Sequence, residues 1–186
     1  IRRIANERTE QIRAGFPSVM RRVSGYNLDE FINGMPFDLS KIAVGSEGTL
    51  CTVVEAKLNL VELPAHKGLV AVHFNDLVES VEANLVALET APVACELIDK
   101  ILLDQTIDSI EHAPSRRFLD GDPAALLVVE YFAQSEAELG RKMDELEARL
   151  GEREMGYAYV RAIEPGAQKA IWELRKAGLG LLMGMK

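Results

Sequence analysis

From residue 68 onward the apolar positions arrive as short unbroken runs alternating with longer helical stripes. Gly68-Leu69-Val70-Ala71-Val72-His73-Phe74 is an apolar run of strand length and reads as a buried strand. Asn75-Asp76 supplies a cap. Leu77, Val78, Val81, Leu85 and Leu88 then recur at helical spacing, which predicts an amphipathic helix with that stripe toward the core. Val93 to Ile98 is a second strand, and a helical pattern runs from Ile98 to about His112 through Ile101, Leu102 and Ile107. Asp120-Gly121-Asp122-Pro123 is a turn, and Ala125 to Phe132 a third strand. Ser135, with Glu138 three residues on, forms a capping box. It opens a charged helix whose apolar positions are Leu139, Met143, Leu146 and Leu150. Tyr157 to Ile163 makes a fourth strand, and Pro165 starts a last helix through Ile171, Trp172 and Leu174.

Strand, helix, strand, extra helix, strand, helix, strand is a doubled β-α-β unit. The predicted class is α+β: a ferredoxin-like plan with one mainly antiparallel sheet and helices packed on one face. Many unrelated functions use that plan, so it does not by itself assign one. The first third of the chain has a different grammar. Residues 1–15 are Arg/Glu-rich and helix-compatible, with Ile4 and Ile12 as sparse apolar anchors, until Phe16-Pro17-Ser18 interrupts them. A short helix is expected near Leu28–Ile32 and a turn at Asn33-Gly34-Met35-Pro36. A glycine loop around Gly45 follows, with a long strand from Cys51 to about Leu63. Pro64-Ala65-His66-Lys67-Gly68 is the best internal boundary.

Charge narrows the partners. The 186 residues carry a formal net charge of -8, unevenly spread: residues 1–50 hold seven Lys/Arg and six Asp/Glu, and the remainder is strongly acidic. An acidic body argues against nucleic acid or an anionic membrane as the main partner. Cys51 and Cys95 are the only cysteines, which excludes a zinc or iron–sulfur cluster built from this chain alone. They read as two half-buried reduced thiols of a cytoplasmic protein. His66, His73 and His112 share no ligand spacing, so no metal is assigned. No apolar run approaches the ~20 residues of a membrane span. The chain starts at Ile1 and ends in Leu-Gly-Leu-Leu-Met-Gly-Met-Lys, so both ends look cut and a piece of something longer is expected.

The segment with most chemistry is Val44-Gly45-Ser46-Glu47-Gly48-Thr49-Leu50. Two glycines three apart allow close backbone approach, and the loop offers N–H groups and hydroxyls to an acceptor-rich ligand such as a phosphate or a flavin edge. A plain hairpin or bulge accounts for a Gly-x-x-Gly turn equally well. The wording is fuller than the spacing, however. Gly-Ser-Glu-Gly-Thr-Leu followed by a β run with Val53-Val54-Glu55-Ala56 resembles the flavin-contacting segment of the vanillyl-alcohol-oxidase (PCMH) type FAD-linked oxidases. The branch it resembles is that of the D-lactate, glycolate and D-2-hydroxyglutarate dehydrogenases. Arg22-Val23-Ser24-Gly25-Tyr26-Asn27-Leu28 resembles the basic residue and Gly-Tyr-(Asp/Asn)-Leu that precede that loop in the family. Trp172-Glu173-Leu174-Arg175 resembles the cap-domain segment whose Arg is expected to hold the substrate carboxylate. Glu96 and Asp99 echo a Glu-Leu-(Met/Ile)-Asp pattern at the end of a cap strand and read as structural.

The resemblance implies that residues 1–63 are the end of an FAD-binding domain and 68–186 the front of the substrate-capping domain. Its implied flavin contacts are Gly25, Tyr26, Gly45, Ser46, Glu47, Gly48, Thr49 and Val54, with Arg175 at the substrate and no catalytic residue within the chain. The implied reaction is oxidation of a small D-2-hydroxy acid to a 2-oxo acid with FAD in the full-length parent. Electrons would pass to an acceptor such as a fused iron–sulfur module, in the cytoplasm or at the inner membrane through that partner. The Arg21–Asp29 and Leu174–Met183 phrases resemble very large bacterial proteins that carry such a module. Departures are Cys51, where the family usually has Gly, and the absence of the pyrophosphate loop and of the later cap histidines. The fragment is therefore expected to be inactive and without FAD by itself. The rival reading is a non-catalytic ferredoxin-like regulatory or subunit-association module; a homo-oligomer fits either.

Overall fold

The structure, a computed structural model, describes residues 1–19, 25–107, 109 and 111–183, with the side chains of 179 and 181–183 outside the description. The chain divides into two compact units, Ile1–Val61 and Glu62–Lys186.

The second unit is built on four strands: β1 His66–Phe74, β2 Ala94–Asp99, β3 Ala125–Ala133 and β4 Ala158–Ala162. The sheet order is β2-β3-β1-β4 with every neighbouring pair antiparallel. Each crossover therefore spans one intervening strand, β3 between β1 and β2, and β1 between β3 and β4. This is the doubled split β-α-β plan of an α+β, ferredoxin-like domain.

Strand alternation sorts the side chains into two cores. Val70, Val72 and Phe74 of β1 and Leu127, Val129 and Tyr131 of β3 face the two crossover helices, α4 Leu77–Leu88 and α6 Glu136–Gly151. Leu69, Ala71, Leu126, Val128 and Ile98 face the other way, onto Leu103 of α5 Lys100–Gln105 and onto Ile171 and Leu174 of α7 Pro165–Met183. The crossover helices do share one face as expected, but the opposite face is also covered. That second cover is why β1 and β3 are apolar at consecutive positions rather than alternate ones.

Three expectations need correction. The segment from Cys51 to Leu63 forms no strand. It is irregular, with a bend at Val54, and Val54, Leu60 and Val61 are all above 90% exposed, because a strand needs a neighbour for its ladder and it has none among the described residues. The helix expected from Ile98 to His112 is much shorter. α5 ends at Gln105, where Arg116 donates to Leu103 O and Thr106 Oγ1 and closes the open carbonyl end; a 3-10 turn follows at Ala113–Arg116. In α4 the predicted stripe is on the wrong side. Leu77, Val78, Val81, Leu85 and Leu88 are exposed, while Ser80, Ala83, Val86 and Ala87 are buried. Small residues let this helix lie close to the sheet, and Asp76, accepting from the Val78 and Glu79 N–H groups, fixes where it starts.

The capping box of α6 forms in a shifted version. Ser135 Oγ accepts from Glu138 N–H, while the Glu138 carboxylate reaches Gln134 N–H, one residue earlier than the usual return bond.

The first unit contains α1 Arg2–Glu7, α2 Thr9–Gly15, a 3-10 turn Leu28–Phe31 and α3 Ser40–Ala43. Ala5, Ile12 and Ile42 are its buried apolar residues among those described.

Candidate functional site

In the first unit, α3 delivers the chain into the Gly45 loop. Gly45 (φ 85°), Glu47 (φ 49°) and Gly48 (φ 77°) all lie in the left-handed region, which glycine enters freely and Glu47 only under local constraint. That constraint is visible. Ser46 is buried, with its Oγ donating to Ala43 O at 2.8 Å, and Thr49 donates from both N–H (2.9 Å) and Oγ1 (2.6 Å) to Ser46 O.

The second motif block meets this loop. The Tyr26 hydroxyl lies 2.9 Å from Thr49 Oγ1, and Asn27 Nδ2 donates to Val44 O at 3.0 Å and Lys41 O at 3.3 Å. A Cβ at Gly45 would sit 3.4 Å from Gly25 O, so the two glycine turns pass against each other. Asn27, which the sequence reading did not single out, is thus the strap of the loop; its place between Tyr26 and Leu28 was the available signal. Arg22, Val23 and Ser24 of the same block lie outside the described residues.

Glu47 and Gly48 present two successive backbone N–H groups with no acceptor among the described residues, and a Cβ at Gly48 or Gly25 would meet open space. A flavin ring edge or a phosphate, rich in acceptors, fits such a pair. Ser46 serves differently from its expected role, because its hydroxyl is turned inward and only its place in the turn remains available. Val54 is 95% exposed in the irregular segment that follows the loop.

Arg175 belongs to the second unit. It follows Leu174, which is fully buried on the sheet, so its own side chain leaves α7 at the margin of that contact. Both its Nε (3.1 Å) and Nη2 (3.0 Å) donate to Glu96 Oε2. Glu96 shares a face of β2 with Ile98, two residues on, which explains why it looks toward α7. Asp99 instead caps α5 by accepting from Leu102 N–H. Glu96 also bears on Cys95: burial first, then the Glu96 charge, pushes that thiol up to about 11.

His73, the fully buried histidine of β1, is a fastener rather than a ligand. Its Nε2 accepts from Asp120 N–H at 3.2 Å, which leaves the ring proton on Nδ1, 3.1 Å from Ala71 O. Burial holds its pKa below the ordinary histidine value, against the pull of its backbone partners and Asp120.

The second unit is thus a doubly covered antiparallel sheet of the ferredoxin-like α+β class, and the first unit carries the Gly45 loop. Residues 63–186 match the family described as FAD linked oxidases, C-terminal domain. This chain belongs to that family. Similar curated proteins include D-2-hydroxyglutarate dehydrogenase of Escherichia coli K12, 29% identical over 184 residues, covering 92% of this chain and 18% of that protein. The protein of the same name from Pseudomonas putida KT2440 is 27% identical over 191 residues (97% and 19%). Mitochondrial D-lactate dehydrogenase [cytochrome] of Arabidopsis thaliana is 27% identical over 144 residues (77% and 24%). The chain thus spans about a fifth of the length of the curated relatives it matches.

Proposed function

We propose that this chain is the junction of an FAD-dependent dehydrogenase that oxidises a D-2-hydroxy acid to its 2-oxo acid. Residues 1–63 would be the end of the FAD-binding domain and 68–186 the front of the substrate-capping domain. The observation that carries the reading is the Gly45–Thr49 loop, fixed by Tyr26 and Asn27, whose exposed Glu47 and Gly48 have N–H groups with no acceptor among the described residues. Family membership and the names of the relatives support the flavin and the hydroxy acid.

FAD, when bound, supplies the hydride-accepting chemistry. The residues of this chain bind and orient. Gly25 and Gly48, where a Cβ would meet open space, would let backbone come close to the cofactor, Gly45 lets the two turns pass against each other, and the Glu47 and Gly48 N–H groups would donate to the cofactor's acceptors. Arg175 receives the substrate carboxylate through a planar, permanently charged fork. The electron acceptor, for example a fused iron–sulfur module, and a cytoplasmic location at or near the inner membrane are parts of the same proposal.

The test is to purify the full-length polypeptide containing this chain and record its absorption spectrum. A flavin spectrum that bleaches anaerobically with D-2-hydroxyglutarate, D-lactate or glycolate is the expected result, and a colourless folded protein overturns the proposal. In the active protein Arg175→Ala should lower kcat/KM by about 2–4 kcal/mol of transition-state binding, and an unchanged value removes Arg175 from the site.

A further inference from the structure

We propose that Glu96 is the positioning residue of Arg175, deciding which edge of the guanidinium is left for an incoming carboxylate. The inference rests on the reading of Arg175 as the substrate anchor and adds a residue to it. A guanidinium carries five N–H donors in a rigid plane. Glu96 occupies only the Nε/Nη2 side, and does so with a single oxygen, Oε2. The end-on Nη1/Nη2 edge has no partner among the described residues. A carboxylate binding two-pronged needs one planar pair of donors, and that pair is the edge left open.

Other arginines of the same unit are engaged differently. Arg161 places Nε on Glu147 Oε1 and Nη2 on both Glu147 Oε2 and Asp144 Oδ1. Arg149 holds Glu145 through Nε and Nη2 and Glu89 through Nη1. Both guanidinia are tied to two separate carboxylates, the pattern of a cross-link between elements. Arg175 is held to one carboxylate oxygen.

The energetics point the same way. The side chains of Arg175 and Glu96 are 44% and 36% exposed, and an ion pair so open to water contributes little to stability. Its geometry is nevertheless well anchored. Ile98 on the same face is 1% exposed beneath α7, and β2 is paired to β3 along its whole length from Ala94 to Asp99. Glu96 is thus a rigid post against a long, otherwise mobile side chain. Removing it leaves Arg175 charged but free to rotate.

Two measurements test this. In the 186-residue chain, the Arg175 Nε–H seen by side-chain NMR should exchange slowly with water in the wild type and in Glu96→Gln, which keeps an acceptor oxygen, and rapidly in Glu96→Ala, with the backbone amide spectrum as the control for folding. In the full-length flavoprotein, Glu96→Ala should raise KM for the hydroxy acid about tenfold while lowering kcat much less, as expected when an interaction common to ground and transition states is loosened. Glu96→Gln should restore most of the affinity. Unchanged Nε–H exchange in Glu96→Ala, or equal KM in all three proteins, overturns the role of Glu96. If Arg175→Ala leaves KM unchanged, it is the substrate-anchor reading that fails, a separate outcome.

Discussion

His73→Phe is the substitution that most directly probes how the second unit is held. The aromatic ring is kept, and with it the contacts to Phe118 and Tyr157, whose ring centroids lie 6.3 and 5.9 Å from the imidazole. What is lost is the Nε2 acceptor for Asp120 N–H and the Nδ1 donor to Ala71 O. A part-buried donor left without a partner costs about 1–3 kcal/mol, so the variant should be less stable than the wild type by that amount near neutral pH. The two proteins should also differ in acid. Because burial depresses the imidazole pKa in the fold, the unfolded chain takes up the proton first. The His73 contribution is therefore complete above the ordinary histidine value of about 6.5 and declines as pH falls toward the lower folded value, with a limiting slope of about 1.4 kcal/mol per pH unit. Urea unfolding followed by fluorescence of Trp172, the single tryptophan, which packs against the second core, reads this unit. Comparing the variant with the wild type from pH 7.5 to 5 cancels the carboxylates, including Glu130, whose pKa burial raises. The stability gap should narrow as the pH falls. A constant gap, or an imidazole that titrates normally by NMR, refutes the argument.

Three other outcomes are expected. Gly178→Ala should destabilise by about 1–3 kcal/mol in thermal or urea melts, since its Cβ would fall 2.0 Å from Leu102 Cδ1, whereas Gly140→Ala on α6, with nothing within 4 Å, should stabilise by about 0.5–1 kcal/mol. On α4, Leu85→Gln should change stability by less than about 0.5 kcal/mol while Val86→Ala costs about 1–2 kcal/mol, because Leu85 is exposed and Val86 buried; equal losses would mean that the wrong arc has been assigned to the core. At pH 8 an alkylating reagent should label exposed Cys51 quickly and Cys95 slowly, because burial and Glu96 keep the Cys95 thiol protonated; mass spectrometry of the modified peptides gives the two rates.

Some of this protein was written in local pattern. The unbroken apolar runs at 68–74 and 125–132, the Asp76 and Ser135 caps and the Leu139-Met143-Leu146-Leu150 stripe determine strands and helices through short-range sterics and hydrogen bonding, and their order leads to the split β-α-β topology. The wording of the Gly45 loop pointed to the family by resemblance, while the family match itself rests on residues 63–186. Tertiary structure decided what periodicity leaves degenerate. In α4 two arcs, Leu77-Val81-Leu85-Leu88 and Ser80-Ala83-Val86-Ala87, both repeat at helical spacing, and the more apolar one lost. Distance to the sheet, not hydrophobicity alone, selected the smaller side chains. The irregular residues 51–63 show the same limit from the other side, because β-rich composition becomes a strand only when a partner edge is present. The pairing of Glu96 with Arg175 joins residues 79 positions apart. No local signal specifies it; only the stacking of α7 on the sheet brings that carboxylate and that guanidinium together.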